Sequence, residues 1–586
     1  MQLTGYNHIV SSCRLLPVTF KSSFVISLLF CGLVTNAQFN ASVSFNLITD
    51  FAETERMGSN LPANSPDATT TIGDVELSLL LMDAISGIEK PTATFTWIGG
   101  TSNDYNTGSN WNLGTVPGAA DDIVIPIANT NPCSINSGSF TVNSITVSAT
   151  GDFRMAAGTS LTIANNVTYT SSVAPSLNCT STIIFNKLAA LTIPAWNYGN
   201  LNCANSAARS WSAAGVTGIC NTFTPGTGTT YTATVGSTVD YISAASQTIQ
   251  NVNYYNLSNS GNGPRSYDLV FSGTIDIANV FSPTTGVVTS GSFNTINFSS
   301  NSLQTIPTTV YYNINNSGAG NRTLAPAGAN SNKITIGNFY GLGLGSISVV
   351  NSTVEFTGTS SYLLAGITYH NLIFNSKATG FFNLGSGTAL TVNGNLTITS
   401  SGTSTLLNIG SMAGVATSLI VLGNVDVQDK GTLQLVTDAA SLGGTTNITG
   451  NLTISGTGKI NLEPVASASA AGIVNINGDF TSTGTSVATA GVGGIVDWGV
   501  TGNLTNNGIY IKGNFSHNGA GSFGASTTSA ATPAAGFVFN NTGTTRTFSY
   551  VSGNVSQKTN YLIPAAAKVQ MLTGVTLGTG DRKSVV

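Results

Sequence analysis

From residue 181 onward the chain repeats itself, and the period of that repeat constrains the fold more than any other feature. Four segments share one pattern. They open at Ser181-Thr182-Ile183-Ile184-Phe185, Ser237-Thr238-Val239-Asp240-Tyr241, Asn294-Thr295-Ile296-Asn297-Phe298 and Ser352-Thr353-Val354-Glu355-Phe356. Each leads to a Tyr-x-Asn-Leu/Ile motif: Tyr198 to Leu201, Tyr254 to Leu257, Tyr311 to Ile314 and Tyr369 to Leu372. By subtraction the motif Asn residues lie 56, 57 and 58 positions apart. Near residue 390 a shorter repeat takes over, marked by Gly394-Asn395-Leu396, Gly423-Asn424-Val425, Gly450-Asn451-Leu452 and Gly478-Asp479-Phe480. Its Gly residues are 29, 27 and 28 apart, about half the first period.

Repeats of this size, built of short apolar-polar alternations joined by Gly and Asn, describe stacked coils. The sequence therefore predicts an all-β chain: a parallel β-helix, or β-solenoid, of about 28-residue coils with a small N-terminal β module. On this reading the longer repeat spans two coils. About fifteen coils would make a rod on the order of 70 Å long at the usual strand spacing. Composition agrees. Only 7% of residues are charged while 41% are hydrophobic, and Gly, Ser, Thr and Asn disfavour helices. Recurrent Asn suits turns, and stacked Asn can bond to the Asn one coil away. A string of small sandwiches is the rival, but 28 residues is too short for one.

The chain divides into six stretches. Residues 1–37 read as a signal peptide: Arg14 and Lys21 precede the apolar run Phe24 to Val34, and Thr35-Asn36-Ala37 offers a cleavage site before Gln38. Residues 38–92 are comparatively acidic and read as a linker or cap. Residues 93–170 form the N-terminal module, 171–390 the two-coil repeats and 391–580 the single-coil repeats. Residues 581–586 place three charges in six positions and read as a non-native tail, with the natural chain continuing past Gly580. Export leaves four cysteines, Cys133, Cys179, Cys203 and Cys220, an even number suited to an oxidising compartment. Of three pairings, proximity in sequence favours Cys203 with Cys220 and Cys133 with Cys179.

Around residue 100 the sequence carries Trp97-Ile98-Gly99, Asn110-Trp111, Val116-Pro117 and Asp121-Asp122 before an apolar strand. Together with the Tyr-x-Asn-Leu repeats, this resembles the secreted, adhesin-like surface proteins of Bacteroidota-type bacteria, many of them similar to type IX secretion cargo. The resemblance covers most of 93–580 and implies an extracellular or cell-surface location. The sorting domain at the C-terminus of that family is not present.

The residues favour a non-catalytic chain. Acids after residue 150 are few and scattered, only His370 and His517 remain beyond the signal segment, and no catalytic or His-based metal motif is present. We assign no catalytic and no metal residues. Asp121-Asp122 would help hold Ca²⁺ if nearby carbonyls joined them, though a turn is the plainer reading. Net charge of −4 gives no basis for nucleic-acid binding, and no segment is long enough to span a membrane as a helix. One column stands out. Arg209, Arg265 and Arg322 each lie nine residues after a repeat Asn. An outward row of Arg would bind an acidic glycan; a solvated edge that blocks strand pairing is the plainer account. Tyr255 and Tyr312 would likewise present rings to a glycan. The functional expectation is a secreted structural or adhesive rod with glycan partners. The alternative is a β-helix polysaccharide lyase or glycoside hydrolase, or the stalk of a longer enzyme.

Overall fold

A computed structural model describes residues 93–572, apart from short internal segments, together with two short strands, Leu15–Thr19 and Val25–Leu29. Those two strands pair antiparallel. The stretches 38–92 and 581–586 lie outside the described residues. From Thr94 onward every pairing between described strands is parallel, with a strand of the turn before, the turn after or both, and the chain is a β-solenoid. The longest sheet contains 17 strands, from Asn197–Tyr198 to Val569–Met571, and extends about 80 Å along the stacking direction.

Alternation decides which face goes inside. In Thr238–Tyr241, Val239 and Tyr241 point inward and are buried while Thr238 and Asp240 are half-buried on the outer face. Stacking then aligns like with like. Leu396, Val425, Leu452, Phe480, Phe515 and Phe548 follow one another in strict register and are all almost fully buried. Burial of each such side chain stabilises by about 1.5–3 kcal/mol. One core runs from Phe95 to Tyr550.

The two repeats use this geometry differently. From residue 396 the turn length equals the repeat length, because successive pairings carry Leu396 to Val425, Leu452 and Phe480. The earlier, longer repeat corrects the two-coil expectation: it takes three turns. Gln247–Ile249, Arg265–Tyr267 and Val288–Thr289 form a three-stranded sheet of their own, one strand per turn, and Gln304–Ile306, Arg322–Leu324 and Ile347–Ser348 form the next. Thr238 pairs with Asn256, 18 residues on, and Asn256 with Val280, a further 24. Such turns hold little more than two short strands and their bends.

The N-terminal β module is continuous with the solenoid. Thr94–Thr96, Asp122–Ile125, Ser144–Val147 and Val167–Tyr169 stack in one sheet, and Ser160–Ile163 pairs directly with Thr182–Phe185. Residues 97–112 cover its first turn. Trp97 and Trp111 bridge antiparallel, with rings packed edge to face at 5.1 Å. Asn103 and Asp104 run beside Ser134, with the Ser134 amide donating to the Asn103 carbonyl, and so occupy the free edge of Cys133–Ile135. Buried Asn110 organises this cover: its Oδ1 accepts from the Thr101 and Ser102 amides and its Nδ2 donates to the Asp104 carbonyl. The Trp-x-Gly and Asn-Trp motifs thus serve to close an exposed sheet edge.

The cysteine pairing differs from the expectation. Cys179 and Cys220 are bonded, with Cα atoms 5.2 Å apart, while Cys133 and Cys203 are free and buried. Stacking explains it. Cys203 points into the core from Asn200–Cys203, whereas Cys220 follows a strand, Val216–Ile219, that lies against Asn197–Tyr198. Between the bonded pair Gly199 packs so closely that a Cβ there would sit 2.5 Å from the Ser181 carbonyl oxygen and 2.8 Å from the Cys179 backbone carbon. Peptide mapping without reduction should recover a Cys179–Cys220 linked pair, and Cys133 and Cys203 should alkylate only after unfolding. Closing a separation of 41 residues restricts the unfolded chain by roughly 4 kcal/mol, so Cys220→Ser should lower unfolding stability by up to that amount in chemical denaturation.

Candidate functional site

The Tyr-x-Asn motif places one residue inside and two outside. Tyr198, Tyr254 and Tyr311 are buried, and each hydroxyl donates to the carbonyl four residues back, at Pro194, Gln250 and Pro307 (3.0, 3.1 and 2.9 Å). The Asn tie neighbouring turns together. Nδ2 of Asn200, Asn256, Asn313 and Asn371 donates backward to Thr182, Thr238, Thr295 and Thr353. Oδ1 of the same residues accepts from the turn ahead, for example from Asn279 Nδ2 and Asn338 Nδ2, both at 2.8 Å. These Asn lie within strands and are not among the residues of positive φ, so the bond between turns, not a left-handed turn, explains their recurrence.

Tyr255 and Tyr312 sit half-buried on the outer face but do not form a row. The strand Thr274–Pro283 shows why. Its Thr274 lies in register with Thr295 and hence with Asn313, whereas its Val280 lies in register with Asn256. Equivalent positions of successive repeats are therefore offset by six residues along that strand, about 20 Å of extended chain. Three turns consume more residues than one repeat supplies, so the repeat drifts around the solenoid.

The arginine column is corrected more strongly. Arg209, Arg265 and Arg322 are each only 1% exposed. Neither an outward glycan-binding row nor a solvated edge exists. Arg265 Nη2 donates to the carbonyls of Tyr241 (2.8 Å) and Ser243 (2.7 Å), and Nη1 to those of Ala245 (3.0 Å) and Gly263 (2.8 Å). Arg322 repeats the arrangement on Phe298, Ser300 and Gly320, and Arg209 donates to Lys187 and Ala189. The guanidinium fork gathers carbonyls of two adjacent tight bends, some of which, such as Tyr241 and Ser243, also accept a longer bond from a glycine amide of the next turn. Burial pulls the Arg265 and Arg322 pKa values down from the usual range.

The acids are equally engaged. Asp121 accepts from the Gly118 amide and Asp122 from Asn143 Nδ2, both at 2.8 Å. That is the turn reading, and no group of three His, Cys, Asp or Glu among the described residues is arranged for a cation. Buried Glu355 pairs with Lys333 at 2.7 Å and accepts from Asn375 at 3.0 Å. Asp276 accepts from Asn297 and Ser299. His370 is half-buried beside the repeat Asn371. His517 is fully buried against Phe523 and Tyr550, ring centroids 4.8 Å away. Burial lowers its pKa, and backbone groups of Gly521, Gly519 and Ser482 pull it partly back.

The single-turn repeats carry straight outward rows of their own. On the 17-stranded sheet Thr397, Asp426, Thr453, Thr481, Ser516 and Ser549 stack one per turn. Burial raises the Asp426 pKa, and a hydrogen bond from Thr453 opposes this. Two residues earlier runs a second row whose oxygens form a ladder. The Asn424 amide donates to Asn395 Oδ1 (2.9 Å), Asn451 to Asn424 (2.9 Å), Asp479 to Asn451 (2.8 Å) and Asn514 to Asp479 (2.7 Å). The sequence exposed this row as the Gly-Asn repeat marker. The signal that it forms a surface was the 27–29-residue spacing from Gly394 to Gly478; the next step, to Asn514, takes 35 residues and still keeps register. No family model, curated protein or solved structure matches the chain.

Two outcomes follow. Arg265→Lys should not replace the fork, because a point ammonium cannot reach four carbonyls in two bends. It should destabilise by about 3 kcal/mol or more, given about 1–3 kcal/mol per buried group left unpaired, read by denaturant unfolding. His517 is neutral in both folded and unfolded chains well above the ordinary imidazole value of 6.5. Below it, the unfolded chain takes up a proton that the folded chain resists. Stability should therefore be fully present above about pH 6.5 and fall as the pH drops, and His517→Phe should flatten that dependence in thermal melts taken from pH 7.5 to 5.

Proposed function

We propose that this chain is a secreted, non-catalytic rod of the cell surface or extracellular matrix, with a structural or adhesive role exercised through its outward polar rows on glycans. The observation that carries this reading is the division of labour among polar side chains. Arg209, Arg265, Arg322, Glu355, Asp276 and the Asp121-Asp122 pair are spent on internal bonds, while the two straight outer rows hold small polar groups of which only Asp426 and Asp479 are charged. Such a surface suits weak, repeated hydrogen bonding over a long contact. An N-terminal segment with signal-peptide character and a disulfide between cysteines of different turns support export to an oxidising compartment. No helix among the described residues is long and apolar enough to cross a membrane.

The buried arginines remove the reason to expect an acidic ligand, and the sequence scatters its acids after residue 150, where glycoside hydrolysis needs two carboxylates close together. The test is retention and turnover measured together. The purified full chain should be retained on immobilised polysaccharides without releasing reducing ends or unsaturated products, and antibodies should label intact cells of the source organism. Product release that survives repurification would replace this reading with the lyase or hydrolase alternative. Absence of both retention and surface labelling would end it.

A further inference from the structure

The ladder of the single-turn repeats fixes more than the turns. A backbone N–H can only donate, so the atom 2.9 Å from the Asn424 amide must be the oxygen of Asn395, and likewise for Asn424 and Asn451. Their amide orientations are thus decided by chemistry. Asn395, Asn424 and Asn451 are exposed, and no acceptor among the described residues takes their Nδ2 hydrogens. The fold therefore holds three oriented NH₂ donors on its surface, one per turn. Beside them runs the row from Thr397 to Ser549, also one residue per turn. Because the donors are already immobilised, a ligand would not have to pay their ordering entropy.

We infer that this face binds an extended, uncharged polysaccharide lying parallel to the solenoid axis, about one sugar per turn. The inference rests on the glycan reading given above and narrows it. Turns are about 4.8 Å apart, close to the length that one sugar adds to an extended chain, so a unit over Asn395 or Asn451 meets an amide donor beside the hydroxyl of Thr397 or Thr453, and the unit between them meets the Asn424 donor beside Asp426. Charge selects against acidic polymers. The only ionisable residues in the two rows, Asp426 and Asp479, are both acids, and the three column arginines are buried elsewhere. Flat outer rows without a large apolar residue give a protein partner no anchor of the kind that dominates protein interfaces.

The chain itself supplies the substitution that separates binding from folding. Asp479 occupies the ladder naturally and accepts from the Asn514 amide at 2.7 Å. Asn424→Asp and Asn451→Asp, made singly, therefore keep the acceptor and remove the donors. Binding of the full chain to cellulose, chitin, β-1,3-glucan and mannan, with alginate and pectate as acidic counterparts, would be measured by depletion from solution. Titration with oligosaccharides of the retained polymer would follow. We expect at least one neutral polymer to be retained over both acidic ones. Affinity should rise with each added sugar to about five or six units, and each substitution should weaken it about 3- to 10-fold, with the melting temperature unchanged for Asn424→Asp, whose ladder neighbours are both Asn, and slightly lowered for Asn451→Asp, which stands one turn from Asp479. Asn447→Asp, on the eight-stranded sheet, where Asn447 accepts from Asn475, should leave binding as it was. Retention of glycans that is indifferent to Asn424→Asp and Asn451→Asp, or as strong for acidic polymers, overturns this inference and leaves the broader reading standing. Retention of no polysaccharide of either kind removes both.

Discussion

Everything in this molecule depends on parallel strands repeating at one fixed spacing, because that spacing lets a side-chain amide serve as the acceptor for the backbone of the next turn. A parallel sheet satisfies backbone groups only where strands run. At each bend the chain must find other partners. The Asn columns answer this at one corner: each Oδ1 takes an N–H from the following turn, from Asn371 through Asn395, Asn424, Asn451 and Asp479 to Asn514. Glycine beside the ladder permits the approach, since a Cβ on Gly450 or Gly478 would sit 2.5 Å from the carbonyl oxygen one turn earlier. At the tighter bends of the earlier repeats a buried guanidinium does the complementary task as a donor, donating to carbonyls instead of accepting from an N–H.

Whether such columns also make surfaces depends on the ratio of repeat length to turn length. Where one repeat is one turn, identical residues stack and a property present once becomes a row. Where one repeat falls short of three turns, each motif lands about six residues away from its predecessor, and no row forms. The same Asn chemistry therefore yields isolated ties in the first half and a continuous ladder in the second. The drift also disperses outward Tyr255 and Tyr312, and it disperses the charges Asp240 and Glu355.

The solenoid, its all-β character and the register of the second repeat were legible because a 27–29-residue period carries its own geometry: alternating Val, Ile, Leu and Phe mark the strands, and Gly-Asn marks the bend. The length of the first turns was not legible. Only one of three turns per repeat bears the Ser-Thr-apolar pattern, and halving the period was the simplest arithmetic. The disulfide failed for a related reason, since which cysteines meet depends on turns that sequence distance does not count. The arginines failed on chemistry. Charged side chains are almost never fully buried unless paired, and the partners here are carbonyls of bends, which leave no mark in the sequence.

The buried arginines and the exposed amides are two outcomes of one requirement. A bend with surplus carbonyls needs a donor that can serve several at once, and a planar fork carried on a long stem reaches them from inside, as the buried Gln247 amide does for the carbonyls of Ile219 and Asn221. A bend with surplus N–H groups needs an acceptor, and the short side chains of Asn and Asp hold one within reach of the next turn. Five of the six ladder positions from Asn371 to Asn514 are Asn although Asp479 shows that a carboxylate suffices. At Asn371 and Asn514 the NH₂ also bonds within the fold, to Thr353 and Asp479; at Asn395, Asn424 and Asn451 the fold does not use it. A stack of carboxylates at turn spacing would repel itself, which accounts for a scarcity of Asp. The result is a surface whose stability requirement and whose hydrogen-bonding capacity reside on different atoms of the same side chain.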